Sequence, residues 1–168
     1  MAGTVREVVG DATCPAVDGP VVLAHVVNDQ GAWGRGFVVA VSSRWPEPEA
    51  AYRRWFQDGQ MADGTPFTLG RVQLVPVTSP DGAQRWVANL LAQHGLGRAN
   101  VPLDLDALTV ALRSVGSFAR TVGATLVCPR IGTGLGGGRW AEVRPLLETE
   151  VAGRYGVEVA VHVLARPR

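Results

Sequence analysis

Apolar residues along the chain gather into short runs bounded by turn formers, at 5–9, 21–27, 72–77, 86–91, 124–128 and 157–164. Runs of this length, rich in valine and closed by glycine, proline, aspartate or asparagine, predict about six β-strands, several continuous enough to be buried on both faces. Between them the apolar positions recur at helical spacing. Segments 37–44, 47–57, 105–122 and 140–155 read as helices. In the third, Leu105, Leu108, Leu112, Val115, Phe118 and Ala119 share a face. Strands alternating with helices predict an α/β sandwich, helix layer on sheet on helix layer. The turn-rich stretches 57–66 and 78–84 read as surface loops, and the absence of a repeat or a hydrophilic linker leads us to expect one domain over residues 1–168.

Composition removes several classes of function. All 16 basic residues are arginine. Without lysine there is no Walker P-loop, no Schiff-base amine and no kinase strand lysine. Cys14 and Cys128 are far apart, outside any CxxC and away from histidine. A disulfide framework, a zinc site and a redox pair therefore lack support, and both are expected as reduced, partly buried thiols. The net charge is +1 with no like-charge run, which argues against a sequence-independent grip on nucleic acid while leaving a local nucleotide contact open. No apolar stretch reaches the ~18 residues of a membrane span. The opening "MAGTVREVVGD" lacks the regions of a secretory signal, so a cytoplasmic protein without a membrane partner is expected.

Two segments ask for more than packing. "PRIGTGLGGGRW" (129–140) sets five glycines between 132 and 138, behind a predicted strand and ahead of a predicted helix. Gly132-x-Gly134-x-x-Gly137 matches a dinucleotide fingerprint, with Glu158 further on, but it precedes the last helix and strand rather than opening a first βαβ unit. The shared physics remains: glycines expose successive N–H groups, and a helix beginning near Arg139 adds a positive end, which suits a phosphate or pyrophosphate better than a merely flexible turn. The second segment, "AHVVNDQGAWGRGFVVAV" (24–41), is a strand ending in Asn28, Asp29 and Gln30, then Gly31, Gly34 and Gly36 around Trp33, then a helix. If both strands run parallel, both loops face the carboxyl edge and form a two-walled pocket. The loop "QHGLGRANVP" (93–102) brings further polar groups, Gln93 and His94, off a strand end.

"VVGDAT" (8–13), "LAHVVNDQGAWGRGFVVAVSSRWP" (23–46), "VANLLAQHG" (87–95) and "CPRIGTGLGGGRWAEV" (128–143) together resemble a macrodomain, of the branch similar to terminal ADP-ribose protein glycohydrolases. The likeness covers nearly the whole chain. It implies a three-layer α/β/α fold with a mixed, six-stranded sheet and ADP-ribose lying in a cleft along one edge. By position, Asp11 would accept from the adenine amino group, with Ala12 beside it supplying backbone contact. Ile131, Gly132, Thr133, Gly134, Leu135, Gly136 and Gly137 would wrap the diphosphate. Asn28, Gly31, Gly34 and Gly36 would surround the distal ribose, with Trp33 as either a lid or a packing residue. His162 would sit near adenine. Read from the residues alone, Asp11 also suits a helix N-cap after Gly10, and His25, inside a strand, suits the core better than a general base.

The chain departs from that branch where its members carry a lysine nucleophile and a loop aspartate. Gln93 and Gly136 occupy those positions, so a covalent lysyl intermediate is excluded. Two readings remain. In the first, water attacks the anomeric carbon or a neighbouring ester carbonyl, positioned by Asn28, Asp29, Gln93 or His94, the candidate catalytic residues. The ester to an acidic side chain makes the smallest demand on such a site. In the second, the protein is a non-catalytic ADP-ribose reader. Neither requires a metal or a cofactor; the expected partners are ADP-ribose or ADP-ribosylated protein, with ADP-ribosylated nucleic acid as a further carrier, and the protein itself is expected as a monomer. A nicotinamide-dinucleotide protein is a third class, kept only by the glycine fingerprint.

Overall fold

The computed structural model describes residues 1–96 and 102–165. Strands β1 (Val5–Val9), β2 (Val21–Asn28), β3 (Val72–Val77), β4 (Arg85–Gln93), β5 (Thr125–Cys128) and β6 (Val159–Val163) form one sheet in the order β1-β6-β5-β2-β4-β3. β3 pairs antiparallel with β4, and every other pairing is parallel. Helices α1 (Phe37–Arg44) and α2 (Glu47–Asp58) cover one face, α3 (Leu105–Val122) and α4 (Trp140–Leu146) the other.

The central strand explains why its sequence does not alternate. Val21, Leu23 and Val27 enter the core under α1 and α2, while Val22 and Ala24 enter the core under α3, so β2 is apolar on both sides. β2 pairs in parallel with β5, Val21 opposite Thr125, and with β4, Val21 opposite Arg85. The exits of all three strands therefore lie along one edge, and both glycine loops leave it.

α3 is fixed at both ends by local chemistry. The Asp104 carboxylate accepts from the Ala107 amide at 2.9 Å, and Gly123, at φ 67°, closes the helix. Its Leu108 and Leu112 are fully buried, each worth roughly 1.5–3 kcal/mol relative to exposure.

The sequence pattern predicted one helix over 140–155, but α-winding stops at Leu146 and Leu147–Gly153 winds as a π-helix. Pro145 sits just before the change and has no N–H to give to the helical ladder; Thr149 Oγ1 donates back to the Pro145 carbonyl at 2.9 Å. The wider turn still buries Leu147, Val151 and Ala152 in the α3 core. Among the described residues no helix is long and apolar enough to cross a membrane.

Candidate functional site

A cleft of about 850 Å³ opens at the ends of β2, β4 and β5, within the ~300–1,000 Å³ usual for small-molecule sites. Its first wall is the loop after β5. There Thr133 N–H donates to the Arg130 carbonyl (3.3 Å), Gly137 to Gly134 (3.1 Å) and Gly138 to Gly132 (2.8 Å). The amides of Gly132, Gly134, Leu135 and Gly136 have no acceptor among the described residues, and all four residues line the cleft, as do Ile131 and Thr133. The turn is tight enough to demand glycine at 136, where a Cβ would stand 2.7 Å from the Gly132 carbonyl oxygen. Leu103 braces the loop from behind: its N–H donates to the Gly136 carbonyl at 3.1 Å, and a Cβ on Gly132 would strike its side chain.

The opposite wall is the start of α1. Gly36 adopts φ 81°, ψ −148°, a conformation open essentially to glycine alone, and turns the chain into the helix. No side chain caps that helix and its first turn holds no acid. The amides of Phe37 and Val38, both lining the cleft, find no acceptor among the described residues, so the positive end of α1 is turned on the site. This corrects the expectation that the helix near Arg139 serves that purpose. Gly137 has spent its amide inside the loop, Arg139 pairs with Glu142, and neither lines the cleft.

Asn28 lines the cleft from the end of β2, but its amide is largely occupied in shaping the turn. Oδ1 accepts from the amides of Gln30 (3.0 Å) and Ala32 (3.1 Å), and Nδ2 donates to the Ala32 carbonyl (2.7 Å). Tyr52 Oη also donates to this residue, and burial raises the phenol far above its ordinary pKa. Gly34 and Gly36 line the cleft; Gly31 does not, and a Cβ there would meet the Phe56 ring. Trp33 is no lid. Only 5% exposed, it donates from Nε1 to Ser42 Oγ at 2.7 Å and packs on Tyr52 in the core.

Of the remaining catalytic candidates, Gln93 lines the cleft, with Nε2 donating to the Gly95 carbonyl at 3.3 Å. Asp29 and His94 stand outside the lining and bond each other, Oδ2 to Nδ1, at 2.6 Å. Burial pushes the Asp29 carboxyl upward, but bonds from the Gly95 amide, Gln30 and His94 outweigh it and hold the group below its ordinary range. The same bond to Asp29 holds the exposed His94 imidazole above the ordinary histidine value. The rest of that loop, 97–101, lies outside the described residues.

Asp11, Ala12 and His162 form a separate group off the cleft, at the ends of β1 and β6, and the sheet order sets it on the β6 side of the β5 loop. No helix follows Asp11, so the N-cap reading is corrected: Oδ1 accepts from both the amide and the hydroxyl of Thr13 at 2.8 Å, closing a turn. Burial pushes its carboxyl up, yet the Thr13 bonds and the charges of Arg44 and His162 bring it below its ordinary value. Ala12 is core, and His162 is buried beneath Gly10. Cys14 is exposed, contrary to expectation, because its turn lies at the surface; Cys128 is buried, which pushes its thiol up to about 12.

Sequence reasoning missed Arg35, Phe37, Leu96 and Arg130, all in the cleft lining. Arg130 lies 5.6 Å over the Trp140 ring and bonds both carboxylate oxygens of Glu7. His25 is buried as read, at 1% exposure, yet it forms part of the cleft floor. Its Nε2 lies 2.6 Å from Asn89 Oδ1, burial lowers its pKa to about 4, and its Nδ1 has no partner among the described residues. Among those residues no three His, Cys, Asp or Glu side chains gather as a metal site would need.

No family model matches the chain. A macrodomain protein from Streptomyces coelicolor is 43% identical and superposes with a TM-score of 0.81, covering 96% of this chain and 100% of that one. Chromodomain-helicase-DNA-binding protein 1-like of Mus musculus is 31% identical over 98% of this chain, which spans only 18% of that protein's length. An ADP-ribose 1''-phosphate phosphatase of Neosartorya fischeri is 27% identical, over 60% of this chain and 61% of that protein.

Proposed function

The chain belongs to the macrodomain family, and we propose that it binds ADP-ribose in the cleft and hydrolyses ADP-ribosyl linkages, the ester to an acidic side chain foremost. One observation carries the binding: two rows of amides without an acceptor among the described residues, Gly132, Gly134, Leu135 and Gly136 on one wall and Phe37 with Val38 on the other, border the same cleft. Such facing N–H groups suit a diphosphate, and Arg35 adds a cation at the mouth. Asp11 retains Oδ2 for the adenine amino group, while Asn28 and Gln93 bound the distal ribose. The phosphatase relative, whose name specifies phosphorylated ADP-ribose, supports the same ligand.

For hydrolysis, water adds to the ester carbonyl, its proton passes to a base, and the bond to the ribose oxygen breaks as that oxygen takes a proton. His94, its Nδ1 held by Asp29, presents Nε2 outward and is the group able to exchange that proton; Gln93 Oε1 orients the water. A reader without chemistry is the second reading, favoured by the position of Asp29 and His94 outside the cleft lining.

Calorimetry decides the first step, with ADP-ribose expected to bind at about −7 to −8 kcal/mol, in the micromolar range. No heat at millimolar ligand rejects the assignment. Release of ADP-ribose from a protein modified on glutamate or aspartate decides the second. Binding without release at saturating enzyme makes the protein a reader.

A further inference from the structure

The unpartnered amides of the two cleft walls are donors, while His25, part of the floor, keeps a buried acceptor without a partner among the described residues. We propose that His25 determines specificity for the group beyond the diphosphate, its Nδ1 accepting a hydrogen bond from a hydroxyl of the distal sugar. The inference rests on the ADP-ribose reading.

A hydrogen-bonded chain running from β2 through β4 to β3 fixes which nitrogen of His25 accepts. Asn89 Nδ2 donates to Gln73 Oε1 at 3.0 Å and to the Pro48 carbonyl at 3.3 Å. Gln73 Nε2 donates onward to the Ala51 carbonyl at 3.0 Å. Both Asn89 amide hydrogens thus have acceptors, and turning the amide over would set oxygen against oxygen at each. Oδ1 of Asn89 must face His25, so His25 Nε2 carries the hydrogen. Nδ1 is left as a lone pair.

That lone pair is buried among the described residues without a donor. Trp33 stands edge-on to the imidazole at 5.3 Å, but its indole N–H is given to Ser42, and the Phe37 ring, at 5.9 Å, carries no donor. A buried acceptor with no partner is costly and rare enough to need a reason. The ligand supplies one, and only in part. Phosphate oxygens are acceptors and are repelled by a lone pair, so the diphosphate belongs to the amide rows. Beyond it, the only donors ADP-ribose carries are the hydroxyls of the distal ribose. His25 lies on β2 below Asn28, on the strand that bounds that end of the cleft. A ligand ending at the diphosphate leaves Nδ1 unpaired.

The test is the ¹⁵N resonance of His25 Nδ1 in the labelled wild-type protein. Added ADP-ribose should move it from the free-acceptor position toward the hydrogen-bonded one, and added ADP should bind without moving it. An unmoved resonance with ADP-ribose bound, or Nδ1 carrying the hydrogen in the free protein, overturns the inference while leaving the ADP-ribose reading intact. ADP-ribose that perturbs no resonance at all overturns that reading and this inference together. His25→Phe keeps an aromatic ring and removes the acceptor, together with the Nε2–H given to Asn89. It should cut the preference for ADP-ribose over ADP by about tenfold, the scale of one lost hydrogen bond, with ADP affinity little changed. An unaltered preference in a folded variant likewise overturns it.

Discussion

Asp29 Oδ2 lies 2.6 Å from His94 Nδ1 while Asp29 Oδ1 takes the Gly95 amide at 2.8 Å, so one carboxylate ties the exit of β2 to the exit of β4. Burial is outweighed by the Gly95 amide, with Gln30 and His94 after it, which holds the carboxylate below its ordinary range, and the carboxylate in turn holds the imidazole above its ordinary pKa, chiefly through their hydrogen bond.

It follows that His94 should titrate higher in the wild type than in Asp29→Asn, as followed by NMR. Since the folded value is raised, the pair's stabilisation is complete below the ordinary histidine pKa and fades as pH rises through the His94 value. The effect on stability is small, because the imidazole is 75% exposed. Identical His94 titrations in the two proteins would contradict the pairing.

Glycines of the β5 loop should separate into two kinds. A Cβ at Gly134 meets nothing within 4 Å, so Gly134→Val should fold normally and lose ADP-ribose affinity at least tenfold, about 1.4 kcal/mol, by filling the ligand's space. Gly136→Val forces the loop apart and should lower both affinity and melting temperature. Melting curves and calorimetry read the two effects; undiminished binding by Gly134→Val means the loop holds no phosphate.

His25 makes a pH-dependent contribution of the opposite sense to His94. Burial lowers its folded pKa to about 4, so below the ordinary value near 6.5 the unfolded chain binds the proton and the native state does not. Stability should therefore fall as pH drops from about 6.5 toward 4, by roughly 3 kcal/mol from this group, and His25→Gln should flatten that part of the profile. Chemical denaturation across that range checks it, and parallel profiles would refute it.

Asp11 serves its turn with one oxygen and leaves the other outward. Asp11→Asn keeps an acceptor for Thr13 and should leave stability nearly unchanged, while weakening ADP-ribose by about 1.5–3 kcal/mol through loss of the charged partner. Asp11→Ala should lose the turn bonds as well, about 1 kcal/mol in stability. Equal affinity in all three proteins restricts Asp11 to the turn.

What a sequence shows depends on how local the cause is. The span of α3 could be read from its own apolar spacing, and Asp104 and Gly123, which close it, act on that same helix; the double-faced valine run of β2 announced burial on both sides. The glycine loops were visible as places of close backbone approach. Trp33 could not be placed, since its position depends on Ser42 and Tyr52 from two later helices. Nor could the identity of the positive helix end, because α4 satisfies the general pattern and only the paths of the loops turn α1 on the cleft instead. The acceptor on His25 needs the register of three strands, with His25 opposite Asn89 and Asn89 opposite Gln73. The π-winding after Pro145 followed from a missing N–H that the apolar spacing does not register.

Leu103 gives the two ends of the site a common fate. It donates to the Gly136 carbonyl in the wall proposed for the diphosphate and pairs as an isolated bridge with Gln93 in the wall proposed for the ribose, one residue before the Asp104 cap of α3. Displacement of either wall must drag the same backbone. On the ADP-ribose reading the diphosphate and the distal ribose are thus not independent increments of affinity: ADP and a ribose-like fragment bound separately should sum to less than the intact ligand achieves, and Leu103→Pro, which removes the N–H given to the Gly136 carbonyl, should weaken that cooperativity before it erases either fragment's binding.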